Sequence, residues 1–154
     1  MEYLVRAARV TDIDRLVALS DEAFGSKRDQ GSLVAADLLR QLVYLPHASV
    51  VVAESQRTVV GGGVLALRPS VSSGGFVGTI DLLVIDPNHD QDRITEALVD
   101  ELLRSASNKG CAVVETARPD DHAARARLEV MGFGEAGPRL QRTVAAAGSA
   151  GRRT

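Results

Sequence analysis

An acidic residue, Asp81, interrupts a run of apolar residues that is otherwise typical of a strand. Ile80 precedes it, and the apolar segment 82–85 follows it. Burial of such a carboxyl group would raise its pKa towards values useful for proton transfer. Alternatively, the alternation of side chains along a strand turns Asp81 towards solvent or a backbone partner. The sequence leaves both interpretations open.

A cluster of acidic residues follows this strand. Within residues 86–96 four side chains are acidic, and Arg93 is the only lysine or arginine among them. Apolar residues from Ile94 onwards recur with helical spacing, which predicts a helix over about 91–107. Asp90 or Asp92 is well suited to cap this helix, because a carboxylate accepts hydrogen bonds from the first N–H groups.

The other side chains with chemical potential form no recognisable motif. His47, His89 and His122 lack the spacing of a metal site, and we expect no bound metal. They are interpreted as surface residues, with His89 and His122 as alternative acid–base groups. The single cysteine, Cys111, is interpreted as a small apolar core residue rather than a nucleophile.

The composition is that of one globular domain. Hydrophobic residues make up 45% and charged residues 25% of the 154 positions, and the net charge is -2 without a long basic run. These values give no indication of nucleic-acid binding, and no apolar stretch approaches the roughly 20 residues that span a bilayer. A lone cysteine fits a reducing cytoplasm. We predict a domain over residues 1–145 and a disordered tail over 146–154.

The elements that position these residues follow from periodicity and turn chemistry. A strand is predicted at 3–8, and the Thr11–Asp14 segment resembles a capping box that starts a helix. Gly61–Gly63 lies inside a strand, where glycine indicates a bulge or a close backbone approach; a phosphate cradle is disfavoured because no helix follows. The remaining predictions are a helix at about 33–45, an antiparallel meander of strands 49–54, 59–67 and 76–85, a strand at 111–116, a helix at 121–131 and a hairpin through 137–138 to 140–144.

This order of elements resembles the GNAT superfamily of acyl-CoA-dependent N-acyltransferases over about residues 3–145. Three segments carry the local resemblance: TIDLLVIDP (79–87), ITEALVDELLRSASNKGC (94–111) and LEVMGF (128–133). The resemblance implies an α+β fold, with a mixed, mostly antiparallel sheet of about six to seven strands and about four flanking helices.

The resemblance also implies a site. Acetyl-CoA or another acyl-CoA would be the acyl donor, and an amine would attack its thioester directly. Asp81 matches the acid that takes the proton of the amine, and the backbone around Val84 and Ile85 would hold the acyl carbonyl. The complete set of implied donor-binding residues is Leu83, Val84, Ile85, Gln91, Asp92, Arg93, Ile94 and Thr95.

Two departures from the family pattern weaken these implications. The family loop is usually Arg-Gly-x-Gly-x-Gly, whereas residues 90–95 contain no glycine and Asp90 occupies the arginine position. These acids would repel a pyrophosphate, so helix capping is the alternative to donor binding. Leu128 occupies the position of a proton-donating tyrosine and is expected in the core.

Two main functions therefore remain open, together with a third, weaker possibility. One is transfer of an acyl group from acetyl-CoA to a small-molecule or peptide amine. The other is a catalytically degenerate protein that serves as a binding or regulatory module. The third is a chain completed by groups from a partner, with a homodimer or another protein as the candidates. No nucleic-acid or membrane partner is expected.

Overall fold

The computed structural model describes residues 2–24, 32–137, 140 and 142–144. The predicted tail at 146–154 lies outside the described residues. None of the helices in the described ranges has the length and apolar character that crossing a membrane requires.

A five-stranded sheet with the order β1-β2-β3-β4-β5 forms the centre of the described structure. Neighbouring strands are antiparallel from β1 to β4, and β5 runs parallel to β4. This arrangement confirms the predicted meander. The strands are β1 (Leu4–Ala7), β2 (Ala48–Ser55), β3 (Thr58–Ser70), β4 (Gly75–Ile85) and β5 (Cys111–Thr116).

Four helices accompany this sheet, so the α+β class is confirmed. A helix connects β4 with β5 because parallel neighbours need a long crossover. One apolar cluster joins the first two helices to one face of the sheet, and a second cluster joins the third helix to the other face. The helices are α1 (Ile13–Phe24), α2 (Ser32–Tyr44), α3 (Gln91–Asn108) and α4 (His122–Val130).

Glycines in β3 allow helices to approach the sheet closely on both faces. A Cβ atom at Gly62 would lie 2.2 Å from Leu16 Cδ2 of α1. Cβ atoms at Gly61 and Gly63 would lie 3.0 Å from Ile94 and Leu102 side-chain atoms of α3. The predicted close approach is therefore confirmed, and the glycines make room for core leucine and isoleucine side chains.

The start of α1 differs from the predicted capping box. A short 3-10 turn at Val10–Asp12 precedes the helix, and Asp12 Oδ2 accepts a hydrogen bond from the Arg9 backbone N–H at 2.8 Å. Arg6 of β1 also donates two hydrogen bonds to this carboxylate, at 2.8 and 3.1 Å. The prediction based on Thr11 and Asp14 was wrong, because a strand arginine draws Asp12 into the turn.

The predicted C-terminal hairpin is not formed by the described residues of that region. Residues 134–137, 140 and 142–144 belong to no strand. Leu140 and Val144 are 101% and 80% exposed, so they bury little or no surface. A strand needs a hydrogen-bonded neighbour, and the described sheet consequently has five strands rather than about six to seven.

Candidate active site

A cleft opens between β4 and β5 because their pairing stops before β4 ends. The parallel ladder runs from Phe76 opposite Cys111 to Ile80 opposite Thr116. β4 continues to Ile85, still paired with β3 on its other side. Residues 81–85 therefore have no β5 neighbour, and their backbone groups on that side are not paired with a strand.

Strand alternation identifies the backbone donors that face this cleft. The Asp86 N–H donates to the Val60 carbonyl of β3 at 2.8 Å. Because alternate residues of a strand direct their N–H groups to opposite sides, Leu83 and Ile85 direct theirs away from β3. Val84 directs its N–H towards β3, and its side chain is 2% exposed in the core. Of the three predicted backbone residues, Leu83 and Ile85 face the cleft.

Asp81 lies at a β-bulge at the inner end of the cleft. Pairing with β3 passes from Val64 opposite Leu82 to Leu65 opposite Ile80, which leaves Asp81 without an opposite residue. The side chain is exposed. The solvent-facing alternative from the sequence is thus the one observed. A bulge commonly re-aims a side chain next to an active site, and Asp81 lies two residues before Leu83 along the strand.

Asp90 caps the helix that begins at the mouth of the cleft. Its Oδ1 accepts a hydrogen bond from the Arg93 N–H at 3.2 Å, and its carbonyl accepts one from Ile94 N–H at 3.1 Å. The prediction of an aspartate cap at this helix is confirmed. Gln91 and Asp92 occupy first-turn positions whose N–H groups have no partner within the helix.

Two of the predicted loop residues have core side chains. Ile94 is 0% exposed and Thr95 is 5% exposed. Ile94 packs in the apolar cluster on the α3 face of the sheet. These two residues can therefore contact a ligand only through the backbone, whereas Asp92 and Arg93 have exposed side chains.

Arginines from distant elements neutralise two of the acids near the mouth. Arg15 of α1 contacts Asp86 at 2.9 Å, and Asp86 Oδ1 also accepts a hydrogen bond from the Asn88 N–H at 2.9 Å. Arg127 of α4 forms an ion pair with Asp92. Arg93 is the only basic residue near these acids in sequence, and the fold adds Arg15 and Arg127 from distant segments.

Tyr3, which is distant in sequence, also lies at the start of α3. Its hydroxyl oxygen accepts a hydrogen bond from the Asp90 N–H at 3.3 Å. Its ring meets the His89 ring edge-on, with centroids 6.2 Å apart, and the Arg93 guanidinium lies 5.7 Å from its centroid. No local pattern in the sequence indicated this contact, because Tyr3 precedes β1.

The other predicted side chains take structural or peripheral positions. Leu128 is 8% exposed, which confirms its assignment to the core. Burial raises the pKa of the Cys111 thiol, which disfavours the thiolate that a nucleophile requires. His122 is exposed at the first position of α4. Across the described ranges, no three histidine, cysteine or acidic side chains are grouped so that they could hold a metal.

A half-buried carboxylate on β5 was not singled out by the sequence. Glu115 lies opposite Thr79, whose hydroxyl donates to it at 3.5 Å, and Arg68 lies 3.7 Å from it. It belongs to the last two paired positions before the cleft opens. Two surface cavities lie elsewhere in the described structure. Residues of β1 and β2 contribute to the lining of both, and no residue of 81–85 lines either one.

Solved structures with this architecture share the fold at low sequence identity. A transcriptional regulator from Bacillus halodurans C-125 has a TM-score of 0.79 at 19% identity, covering 93% of this chain and 100% of its own. A ribosomal-protein-alanine N-acetyltransferase from Brucella melitensis biovar Abortus 2308 has a TM-score of 0.73 at 15% identity, with coverages of 94% and 100%. AAC(6')-Iy, solved with the bisubstrate analogue CoA-S-monomethyl-acetylneamine, has a TM-score of 0.77 at 15% identity, with coverages of 95% and 100%.

The sequence model of the Acetyltransferase (GNAT) family matches residues 13–133, which is more than half of the chain. The chain belongs to this family. No curated protein sequence matches it significantly.

Proposed function

We propose that the protein transfers an acyl group from acetyl-CoA, or from another acyl-CoA, to an amine. The observation that carries this proposal is the end of β4–β5 pairing at Ile80 and Thr116. Beyond it, the Leu83 and Ile85 N–H groups face a cleft that lies beside the start of α3. In a family of acyltransferases, such unpaired strand N–H groups can donate hydrogen bonds to the carbonyl groups of the acyl-CoA.

The residues present fit the extended arm of acyl-CoA, with its amide and thioester carbonyls, better than they fit its phosphates. Open strand N–H groups suit the amide and thioester carbonyls of an extended arm. At the α3 start, the Asp90 carboxylate already occupies the Arg93 N–H, so a phosphate would meet only the Gln91 and Asp92 N–H groups directly. Bound acyl-CoA would supply an activated carbonyl at the cleft.

Asp81 is the proposed proton acceptor. An amine must be neutral to attack a carbonyl, so its proton has to leave before or during bond formation. The exposed carboxylate at the bulge takes this proton directly or through one water molecule. Leu128 has no proton to donate, so a water molecule protonates the departing thiolate.

A calorimetric titration with acetyl-CoA tests the donor part of this proposal. We expect heat of binding and a rise in melting temperature that grows with the ratio of ligand concentration to Kd. Thiol release from acetyl-CoA in the presence of a panel of amines then tests transfer. Binding without thiol release for any amine would leave a donor-binding protein and contradict the transferase.

The Asp90 cap favours a second candidate, a binding or regulatory module that does not use acetyl-CoA in the usual way. Asp90 and Asp92 occupy the helix start with the chain's own carboxylates. For this candidate, acetyl-CoA at about 1 mM should leave the melting temperature unchanged. A clear shift at micromolar acetyl-CoA would exclude it. We place either function in the cytoplasm, in keeping with the single half-buried cysteine.

A further inference from the structure

An ion pair joins the two helices on either side of the cleft mouth. Arg127 of α4 donates to the carboxylate of Asp92, the second residue of α3. β4 leads into α3 and β5 leads into α4, and these two strands run in the same direction. The Arg127–Asp92 pair bridges the gap between the first turn of α3 and the last turn of α4, the helices that follow the two strands of the cleft.

This ion pair is exposed enough for its carboxylate to be replaced. The Asp92 side chain is 75% exposed, whereas the Arg127 side chain is only 27% exposed. Exposed pairs contribute little to stability, because water and salt screen them. Arg127 is also fixed by its neighbour in sequence, because Leu128 anchors this turn of α4 in the core. Arg127 therefore stays in place, whereas the Asp92 carboxylate can be replaced as its partner.

We propose that Arg127 binds a phosphate group of the acyl donor, and that Asp92 is an internal competitor for the same guanidinium. An incoming phosphate replaces the Asp92 carboxylate, so one oxyanion is exchanged for another and no bond is made or broken covalently. A guanidinium binds both groups through two parallel N–H donors, and the phosphate carries more charge. The identification of the phosphate with an acyl-CoA rests on the proposed function.

This exchange explains how a loop without glycines still accepts a phosphorylated ligand. In the absence of ligand, Asp92 neutralises Arg127 and closes the gap between the helices. In the bound state the cation comes from α4 rather than from the α3 loop itself. The acids of the loop then do not all repel the ligand equally. Asp92 is already paired with Arg127, and the phosphate can replace Asp92 in that ion pair.

A double-mutant cycle with inorganic pyrophosphate and with CoA tests the exchange by calorimetry on the full chain. Asp92→Asn should tighten pyrophosphate binding about 3-fold, because the competitor and its repulsion are removed. Arg127→Met should weaken it about 10-fold. The loss caused by Arg127→Met should be larger in the Asp92→Asn background than in the wild type, because only there is the guanidinium fully available.

Arg104→Met is the matched control. Arg104 forms an ion pair with Glu101 on the same helix as Asp92, and twelve residues of helix place it about 18 Å away from Asp92. We expect no change in pyrophosphate affinity for this variant. Pantetheine, which has no phosphate, should bind Arg127→Met and wild type equally, and thermal unfolding should show that every variant is folded.

The two probes separate this inference from the proposed function. Pyrophosphate binding that depends on Arg127, without any CoA binding, would support the exchange and contradict use of acyl-CoA. CoA binding that is unchanged in Arg127→Met would overturn the exchange and leave the proposed function standing. Folded Asp92→Asn protein that binds neither probe would overturn the exchange as well.

Discussion

The hydroxyl oxygen of Tyr3 lies 3.3 Å from the backbone nitrogen of Asp90, linking the residue before β1 to the residue that caps α3. Arg127 belongs to α4, which follows the opposite edge strand, β5, and it contacts Asp92 in this same first turn of α3. The first turn of α3 is thus held on two sides by side chains from opposite ends of the chain.

Replacement of Tyr3 by Phe should loosen this turn without disturbing the packing of the ring. The Asp90 N–H loses its acceptor, which costs about 0.5–1.5 kcal/mol of unfolding free energy. Denaturant unfolding measures the loss. Tyr44→Phe is the control, because the Tyr44 side chain is 75% exposed and its hydroxyl should be dispensable. Equal stability of Tyr3→Phe and wild type would show that water replaces the phenol.

Asp90 variants should separate the capping role of this residue from its charge. Asp90→Ser retains an acceptor for the Arg93 N–H and removes the negative charge, so CoA affinity should rise with little loss of stability. Asp90→Ala removes both and should cost about 1 kcal/mol. Calorimetry and thermal unfolding of the same samples provide the two readouts. An unchanged CoA affinity in both variants would show that the Asp90 carboxylate does not oppose the ligand.

Asp81→Asn should abolish proton acceptance while preserving the shape of the bulge. If the protein acylates amines, the rate at neutral pH should fall about 10²–10⁴-fold, the usual contribution of a general base. Steady-state thiol release measures this rate, with donor KM as the check that binding persists. Asp100→Asn, an exposed aspartate on α3, is the control. An active enzyme that tolerates Asp81→Asn would direct attention to Glu115 on β5.

The Arg6–Asp12 contact should make stability fall at acidic pH. The hydrogen bonds from Arg6 lower the pKa of Asp12, and the Arg9 backbone N–H contributes in the same direction. Because the folded-state pKa lies below the unfolded one, this stabilisation is complete above the unfolded pKa of about 3.9 and is lost as pH falls through the folded value.

Asp12→Asn tests this dependence. The variant should lose about 2–3 kcal/mol at neutral pH, because Arg6 and the Arg9 N–H lose a charged acceptor. Its unfolding free energy should also fall less steeply than that of the wild type between about pH 4 and pH 2. Asp14→Asn is the control, since the Asp14 side chain is 94% exposed. Parallel pH profiles for wild type and Asp12→Asn would contradict the assignment.

Gly62→Ala should test the close approach of α1 to β3. The added Cβ would lie 2.2 Å from Leu16 Cδ2, and Leu16 is fully buried, so the core must shift. Such overpacking costs about 1–3 kcal/mol in thermal or denaturant unfolding. Gly75→Ala, which meets nothing within 4 Å, is the matched strand control. In a Leu16→Ala background the substitution at Gly62 should become neutral or stabilising.

The sequence alone predicted the features that depend on neighbours along the chain. Helical spacing from Ile94 onwards predicted α3, and the residue types at 90–92 predicted its aspartate cap. The run at 111–116 matched β5 from Cys111 to Thr116. These predictions succeeded because helix periodicity, capping and strand alternation are local, and the short links between strands allowed only a meander.

Tertiary structure alone decided which charges and backbone groups meet at the site. Arg15 and Arg127 neutralise acids that are far from them in sequence, and Tyr3 reaches Asp90 across the sheet. The exposure of Asp81 depends on a one-residue shift in its pairing with β3, which alternation within β4 cannot reveal. Such contacts require the packed elements to be in place, because the distance between two side chains in space is not fixed by their separation along the chain.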